Sequence, residues 1–214
     1  MRFVSGTAGE LPADVLLGVG RYRNQVFVKK LGWQLECRDS LEYDQFDRDD
    51  TVYVVAQNDA GEIIGTARLL STARPYLLSE IFPQLLHGLP APASNDVFEL
   101  SRFAAVDFTS SSGRSEGQFS SATAVGLLKA SLRCAVEHGA KRVITVSPVG
   151  VERLLRAANF RAHRAGPPVL VDKDPLFACW IHCEASLADA NHAGRPMKPE
   201  SAITKQKWSR SPEG

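Results

Sequence analysis

Val97-Phe98-Glu99-Leu100-Ser101-Arg102-Phe103 decides how this chain is read. Its apolar, β-favouring residues predict a strand, yet the run carries a carboxylate and a guanidinium. Burying either charge alone costs free energy or forces a pKa shift, so a covered strand rarely holds them without partners. The same sequence offers partners upstream in Arg23, Asp44, Asp47 and Arg68, all set among aromatic and apolar residues. Ion pairs spread through an apolar half-domain point to a polar site within a core rather than to a solvated face. The functional reading makes Glu99 a proton acceptor, with Arg102 holding an anion or orienting a carboxylate. The competing reading is an internal ion pair that only fixes strand register. Asp44 and Asp47 suit an ammonium or sulfonium group, or else form a solvated acidic loop.

Outward from that strand, residues 14–31 predict one amphipathic helix, with Arg23 and Phe27 on one face and Gly32 as its stop. Residues 34–50 predict a long acidic loop. Thr51–Ala56 and Ile63–Leu70 predict two strands, joined through the turn residues Asn58-Asp59-Ala60-Gly61. Residues 76–87 predict a short helix that holds Phe82, and Leu89–Ala93 a Pro-rich connector. By composition, residues 109–117 (TSSSGRSEG) predict a flexible connection. Residues 119–138 predict the clearest helix, with Val125, Leu128, Leu132 and Ala135 as its stripe and Gly139 at its end. Arg142–Val149, Val151–Ala158 and Pro175–Glu184 predict a strand, a short helix and a last strand. From about Ala190 the sequence turns polar and reads as a tail. Strands interleaved with helices predict a mixed α/β sheet covered by helices.

Composition narrows the function classes. The 214 residues suit one large domain, and 44% hydrophobic content supplies a sizeable core. A formal net charge of +1 argues against a general nucleic-acid binder. No apolar run approaches the ~20 residues needed to span a bilayer. The opening MRFVSGTAGELPADV lacks an apolar signal core, so a cytoplasmic protein with reduced cysteines is expected. There is no nucleotide phosphate loop, and Gly18-Val19-Gly20 lacks the third glycine of a dinucleotide turn. Cys179, His182 and Cys183 lack a fourth ligand; Phe177, Cys179, Ile181 and Cys183 alternate as one face of a strand, which predicts core packing and no metal site.

Taken in order, Arg23-x-x-x-Phe27, Gly32-Trp33, Asp44-x-x-Asp47, Arg68 in GTARLL, Phe82 in SEIFPQLLHG and Glu99-Leu100-Ser101-Arg102-Phe103 resemble the acyl-homoserine lactone synthases, the LuxI-type autoinducer synthases of bacterial quorum sensing. The resemblance covers about residues 20–180. It implies a single-domain fold similar to the GNAT acetyltransferases: a three-layer α-β-α sandwich with a mixed central sheet splayed into a V. The domain is expected over residues 1–188, followed by a polar tail over 189–214. It also implies a reaction in which the α-amine of S-adenosylmethionine attacks an acyl thioester. The carboxylate then closes a lactone and expels 5′-methylthioadenosine. S-adenosylmethionine is thus a substrate, N-acyl-homoserine lactone the product, and no cofactor, metal, nucleic acid or membrane is called for.

By the same resemblance, Glu99, Ser101 and Arg102 are the catalytic candidates. Arg23, Phe27, Trp33, Asp44, Asp47, Arg68, Phe82 and Phe103 are expected to bind S-adenosylmethionine or complete the ion-pair network. Backbone amides from Ser101 to Phe103 are candidate oxyanion donors. Val125, Leu128, Val143, Thr145, Ser147, Val149 and Leu154 are candidate linings of an acyl tunnel, with Ser147 where the family often has a threonine. A chain of C8 or longer is the weakly favoured substrate. The donor is expected to be acyl-carrier protein, because Arg114-Ser115-Glu116-Gly117-Gln118-Phe119 departs from the coenzyme A pyrophosphate loop. Arg153 and Arg156, with Lys129 or Arg133 near them, are the expected carrier-docking cations. Two rivals remain at this stage. One is a GNAT-like N-acyltransferase using acyl-coenzyme A and another amine. The other is a lactone sensor, which would need an output domain for which residues beyond 185 leave no room.

Overall fold

A computed structural model describes residues 1–109 and 122–192. In chain order its strands are β1 (Arg2–Thr7), β2 (Cys37–Arg38), β3 (Leu41–Glu42), β4 (Val52–Gln57), β5 (Ile63–Ser71), β6 (Val97–Ala104), β7 (Arg142–Pro148), β8 (Ala162–Arg164), β9 (Val169–Val171) and β10 (Asp174–His182). The helices are α1 (Ala13–Arg23), α2 (Leu77–Glu80), α3 (Ala122–Glu137), α4 (Val151–Ala157) and α5 (Cys183–His192). A π-helical segment, Asn24–Lys30, continues α1, and a 3₁₀ turn, Pro83–Leu86, follows α2.

The large sheet runs β1-β4-β5-β6-β7-β10-β8, with β9 also on β10. Every pairing is antiparallel except β6 with β7, which the crossover through α3 makes parallel. All six residues of β4 are buried, because both sheet faces are covered. Val52, Val54 and Ala56 face the layer of α3, while Tyr53 and Val55 face α1. A third apolar cluster, Leu70, Leu78, Leu85, Val97 and Ile144, packs α2 and the 3₁₀ turn onto the α1 side of the sheet. The fold is therefore the expected mixed α-β-α sandwich.

The ladder between β6 and β7 holds only three registered pairs, Val97–Arg142, Phe98–Val143 and Glu99–Ile144. Beyond Glu99 the strands part, and β7 remains paired only with β10. This divergence is the V of the sheet, and it opens beside the catalytic candidates.

Local chemistry explains where the chain turns. Asn58 Oδ1 accepts the N–H groups of Ala60 and Glu62 at 3.0 and 2.9 Å, closing the β4–β5 hairpin with Gly61 at φ 83°. Gly139, at φ 86°, ends α3 as its sequence position predicts.

Several boundaries differ from the sequence reading. The helix over 14–31 is two segments, since Leu31 N–H bonds Val26 O at 2.9 Å and widens the last turns. The acidic loop over 34–50 contains the β2–β3 hairpin, turned at Asp39 (φ 53°) and Ser40 (φ 61°). The helix over 76–87 is broken before Pro83. The last strand stops at His182, and Cys183 begins α5 instead of extending the strand. β1, β8 and β9 were not expected. Much of the Ser-rich connection, the Arg114–Phe119 segment and most of the expected tail lie outside the described residues. Cys179 and Cys183 sit in the apolar core, and burial pushes both thiols up to about 12. No helix among the described residues is long and apolar enough to cross a membrane.

Candidate active site

The site is set by an irregularity in β6. Strict alternation along the strand would place Arg102 opposite Glu99 and Ser101, on the α3 face with Phe98 and Leu100. Across β5 and β6, however, Arg68 pairs with Ser101 and Thr66 with Ala104, so Arg102 and Phe103 together oppose Ala67. This is a β-bulge, and Arg102 occupies it at φ 49°. A left-handed backbone at a residue with a side chain costs about 1–2 kcal/mol. What the strain achieves is direction: Glu99, Ser101 and Arg102 all face the α1 side. Phe103 resumes packing on the α3 side, away from them.

Three guanidiniums meet three carboxylates there. Arg23, at the end of α1, donates from Nε to Glu42 at 2.5 Å and grips Asp47 through both terminal nitrogens at 2.8 and 3.0 Å. Arg68 donates from Nε to Ser101 Oγ at 3.0 Å, and its Nη1 lies 2.5 Å from Asp44 and 3.1 Å from Asp47. Arg102 donates from Nη2 to Glu42 at 3.0 Å and to Asp44 at 2.8 Å. Tyr53 Oη donates to Asp47 at 3.0 Å. Arg23, Arg68 and Glu42 are buried almost completely. Burial works against the Asp47 charge, but Arg23 and Arg68 overcome it and hold the carboxyl well below its usual range. Glu42 is likewise lowered, because Arg23 and Arg102 outweigh its desolvation. Breaking such a buried network costs more than forming it gains, so it serves to fix geometry more than to add stability.

Glu99 stands apart from these pairs. It is fully buried, and its oxygens accept the backbone N–H groups of Leu77 and Leu78 at 3.0 and 2.7 Å. Desolvation outweighs those bonds and the nearby Arg68, raising its pKa to about 7. Each oxygen keeps a further lone pair, so the group can still take a proton.

An aromatic wall borders the network. Phe27, on the π-helical turn, is buried, whereas Trp33 is 44% exposed. Their rings stack at 4.9 Å, and the Arg102 guanidinium lies 5.6 Å from one ring centroid and 5.9 Å from the other. An exposed tryptophan held this way suits a planar or cationic ligand. Phe82 is half-buried in the cluster around Leu85, beside the α2 segment that holds Glu99.

The acyl-lining candidates take the other face. Val143 lies in the α3-side cluster with Leu128 and Val125, and alternation puts Thr145 and Ser147 on the same face of β7. They are separated from Glu99 by the sheet, on either side of the place where β6 and β7 part. Val149 is an exposed apolar residue, so it does not line that core, and Leu154 is half-buried on α4. Arg153 and Arg156 are exposed on α4, where Arg156 pairs with Glu152 at 3.4 Å.

Sequence reasoning missed Glu42, the acid shared by Arg23 and Arg102. Its position in an acidic loop resembled solvated surface; the signal was a glutamate between Leu41 and Tyr43, two residues before Asp44. It also missed Leu77 and Leu78, whose role comes from the backbone and leaves no side-chain trace.

Known proteins resemble this chain in sequence and in fold. The family model described as autoinducer synthase matches residues 13–190. The acyl-homoserine-lactone synthase of Acinetobacter nosocomialis is 50% identical over 181 residues, covering 85% of this chain and 99% of that protein. TofI, solved in a ternary complex with an inhibitor and MTA, superposes with a TM-score of 0.77 at 44% identity, covering 89% of this chain and 97% of TofI. BjaI, a CoA-dependent acyl-homoserine lactone synthase solved with SAM and isopentyl-CoA, gives 0.76 at 26% identity, covering 89% and 86%. An acyl-CoA N-acyltransferase from Pseudomonas aeruginosa, at TM-score 0.56 and 18% identity over 84% and 97% of the chains, shares the fold.

Proposed function

The chain belongs to the autoinducer synthase family, a family of acyltransferases, and from that premise we propose that it makes N-acyl-homoserine lactone from S-adenosylmethionine and an acyl-carrier-protein thioester in the cytoplasm. The observation that carries the reading is the convergence, on one face beside the splayed strands, of a buried ion-pair network and a separate glutamate whose pKa is raised to about 7.

The chemistry follows from those groups. An α-ammonium must lose its proton before it can attack, and Glu99, poised near neutrality, takes that proton directly or through water. The amine adds to the thioester carbonyl, and amides of the β6 bulge receive the oxyanion. Collapse expels the carrier thiol. The carboxylate then attacks the carbon bonded to sulfonium, and 5′-methylthioadenosine leaves. The sulfonium is already a good leaving group, so the reaction balances without a metal or redox cofactor. Holding one folded conformer makes ring closure intramolecular and fast.

Phe27 and Trp33 stack on the adenine or face the sulfonium, and Asp44 or Asp47 receives the ammonium. Arg23 fixes the acids, and Phe82 shapes the cleft. The acyl chain passes through the V toward Leu128, Val143, Thr145 and Ser147. Arg153 and Arg156 meet the acidic carrier. BjaI, a CoA-dependent synthase solved with isopentyl-CoA, makes acyl-coenzyme A the competing donor. Purified chain supplied with S-adenosylmethionine and matched acyl-carrier-protein and acyl-coenzyme A donors, read by mass spectrometry, separates the two. Higher kcat/KM with the carrier thioester supports the proposal, and preference for the coenzyme A thioester transfers the reading to that donor. Acylation of an amine without release of 5′-methylthioadenosine would replace it with a general N-acyltransferase.

A further inference from the structure

We propose that Arg48 is a positioning residue for Glu99: by holding the peptide unit that opens α2, it seats the two backbone amides on which the Glu99 carboxylate rests. The proposal rests on Glu99 being the base of the reaction. Glu99 accepts its hydrogen bonds from the N–H groups of Leu77 and Leu78, which begin α2. That helix is only four residues long, and a single turn does not hold its own geometry in water. Its orientation is imposed from outside.

Two side chains impose it on one peptide unit. Arg48 Nη1 donates to Pro75 O at 2.6 Å, and Ser79 Oγ accepts the Tyr76 N–H at 3.2 Å. Pro75 O and Tyr76 N–H belong to the same planar peptide, so fixing both ends fixes the plane from which α2 starts. Arg48 is itself anchored. Its Nε donates to Asp50 at 3.1 Å, and Asp50 also takes Arg74 at 2.9 Å. Thr51 Oγ1 accepts the Arg48 N–H at 2.9 Å and donates to Phe46 O at 2.7 Å, closing the turn that carries Arg48. Nη2 of Arg48 stays buried with no hydrogen-bond partner among the described residues. Burying an unpaired donor costs free energy, so the guanidinium is placed for Pro75 rather than for its own solvation.

The same turn carries Asp47, the acid held by Arg23 and Arg68. Arg48 thereby joins the ion-pair network to the seat of Glu99 and keeps the two at one spacing. The consequence falls on a proton. Burial raises the Glu99 carboxyl; the Leu78 amide, Arg68 and the Leu77 amide favour its charged form, and Asp44 opposes it. Tyr76, beside it, is kept neutral by burial and by the Glu99 charge. When α2 loosens, the two amide bonds weaken and Glu99 keeps its proton to higher pH.

The test supplies purified chain with S-adenosylmethionine and an acyl thioester and follows kcat/KM against pH. It compares the wild type with Arg48→Met, which removes the donors, and Arg48→Lys, which still reaches Pro75 O. The substrate amine titrates alike in all three, so a difference belongs to the protein. Arg48→Met should be about fivefold slower than wild type near pH 6.5 and within about twofold of it near pH 8.5, and Arg48→Lys should restore the wild-type profile. A uniform loss at every pH, or an Arg48→Lys variant that behaves like Arg48→Met, overturns the proposal. Carbon-13 NMR of chain labelled at the glutamate carboxyls, with the Glu99 signal identified by its loss in Glu99→Gln, reads the same shift without turnover; an unmoved Glu99 titration in Arg48→Met overturns it. Should Arg48→Met not fold, Asp50→Asn, which loosens the guanidinium but leaves it in place, should move the Glu99 titration upward, and no movement overturns the proposal. Full turnover by Glu99→Gln overturns the base reading itself, whereas an inactive Glu99→Gln with an unmoved profile in Arg48→Met overturns the role of Arg48 alone.

Discussion

At the scale of single residues, Glu99 and Asp47 are carboxylates pushed in opposite directions, and their pH signatures have opposite signs. Asp47 is held below its ordinary pKa, so the stability it contributes is present above the unfolded value of 3.8 and is lost as pH falls below it. Glu99 is raised from 4.5 to about 7, so its contribution is fully present below pH 4.5 and declines as pH rises through 7. Glu99→Gln should therefore flatten the loss of stability between pH 5 and 8, a difference of about 3 kcal/mol at most, seen in urea titrations at the two pH values. The same variant should lower kcat by about 100-fold or more, and the wild-type rate should climb with an apparent pKa near 7. Wild-type activity that stays flat across that range removes Glu99 as the base. Glu42→Ala leaves Arg23 and Arg102 without their shared acid and should cost about 3–5 kcal/mol in chemical unfolding, whereas the exposed Arg38→Ala should change stability by about 0.5 kcal/mol or less. Equal effects of the two substitutions would mean that Glu42 is solvated and outside the network.

At the scale of elements, the site depends on how α1 and the bulged β6 are seated. Gly20 of α1 lies against the Tyr43 ring, where an added Cβ would come within 2.7 Å of the ring carbon Cε2. Tyr43 in turn lies under the Arg23 guanidinium at 5.4 Å and donates to Leu16 O at 2.5 Å. Gly20→Val should push that ring outward, cost about 1–3 kcal/mol and lower the melting temperature by several degrees. It should also weaken S-adenosylmethionine binding through Arg23, although residue 20 touches no substrate; unchanged binding would uncouple α1 from the site. This level also explains what could be read in advance. The β4–β5 hairpin was legible because Asn58 and Gly61 impose local turn geometry. The end of α3 was legible at Gly139 for the same reason. The β6 bulge was not, because Arg102 takes its left-handed backbone only when β5 fixes the register from outside. The seat of Glu42 was equally hidden, since a hairpin of two-residue strands leaves no periodic signal. α5 was missed because Cys183 completes the alternation of β10, which draws the strand on to Glu184 and leaves the short run before the polar residues from Ala190 without a helical signal of its own.

At the scale of the whole molecule, the sheet keeps the charged network and the α3-side apolar cluster on opposite faces. The charged network lies on the α1 side, the apolar face lies under α3, and β6 and β7 part beside both; the proposed reaction would place the amino acid on the first face and the acyl chain on the second. On this account the carrier arrives near α4. Reversing Arg153 and Arg156 to glutamate should raise the KM for a carrier thioester by about tenfold and reduce its salt dependence, with S-adenosylmethionine affinity unchanged. An unchanged KM would move docking to another surface. The family was legible because its charged and aromatic positions occur in order along the sequence. The division of labour between faces was not, because it depends on where β6 and β7 part. The most direct test of the account is a time course with purified chain, S-adenosylmethionine and a series of acyl-carrier-protein thioesters, quantifying acyl-homoserine lactone and 5′-methylthioadenosine together by mass spectrometry. The account predicts that the two products appear in equal amounts with the wild type, and that Glu99→Gln slows both alike. Thioester consumption without either product, or equal product formation by the Glu99→Gln variant, would contradict it.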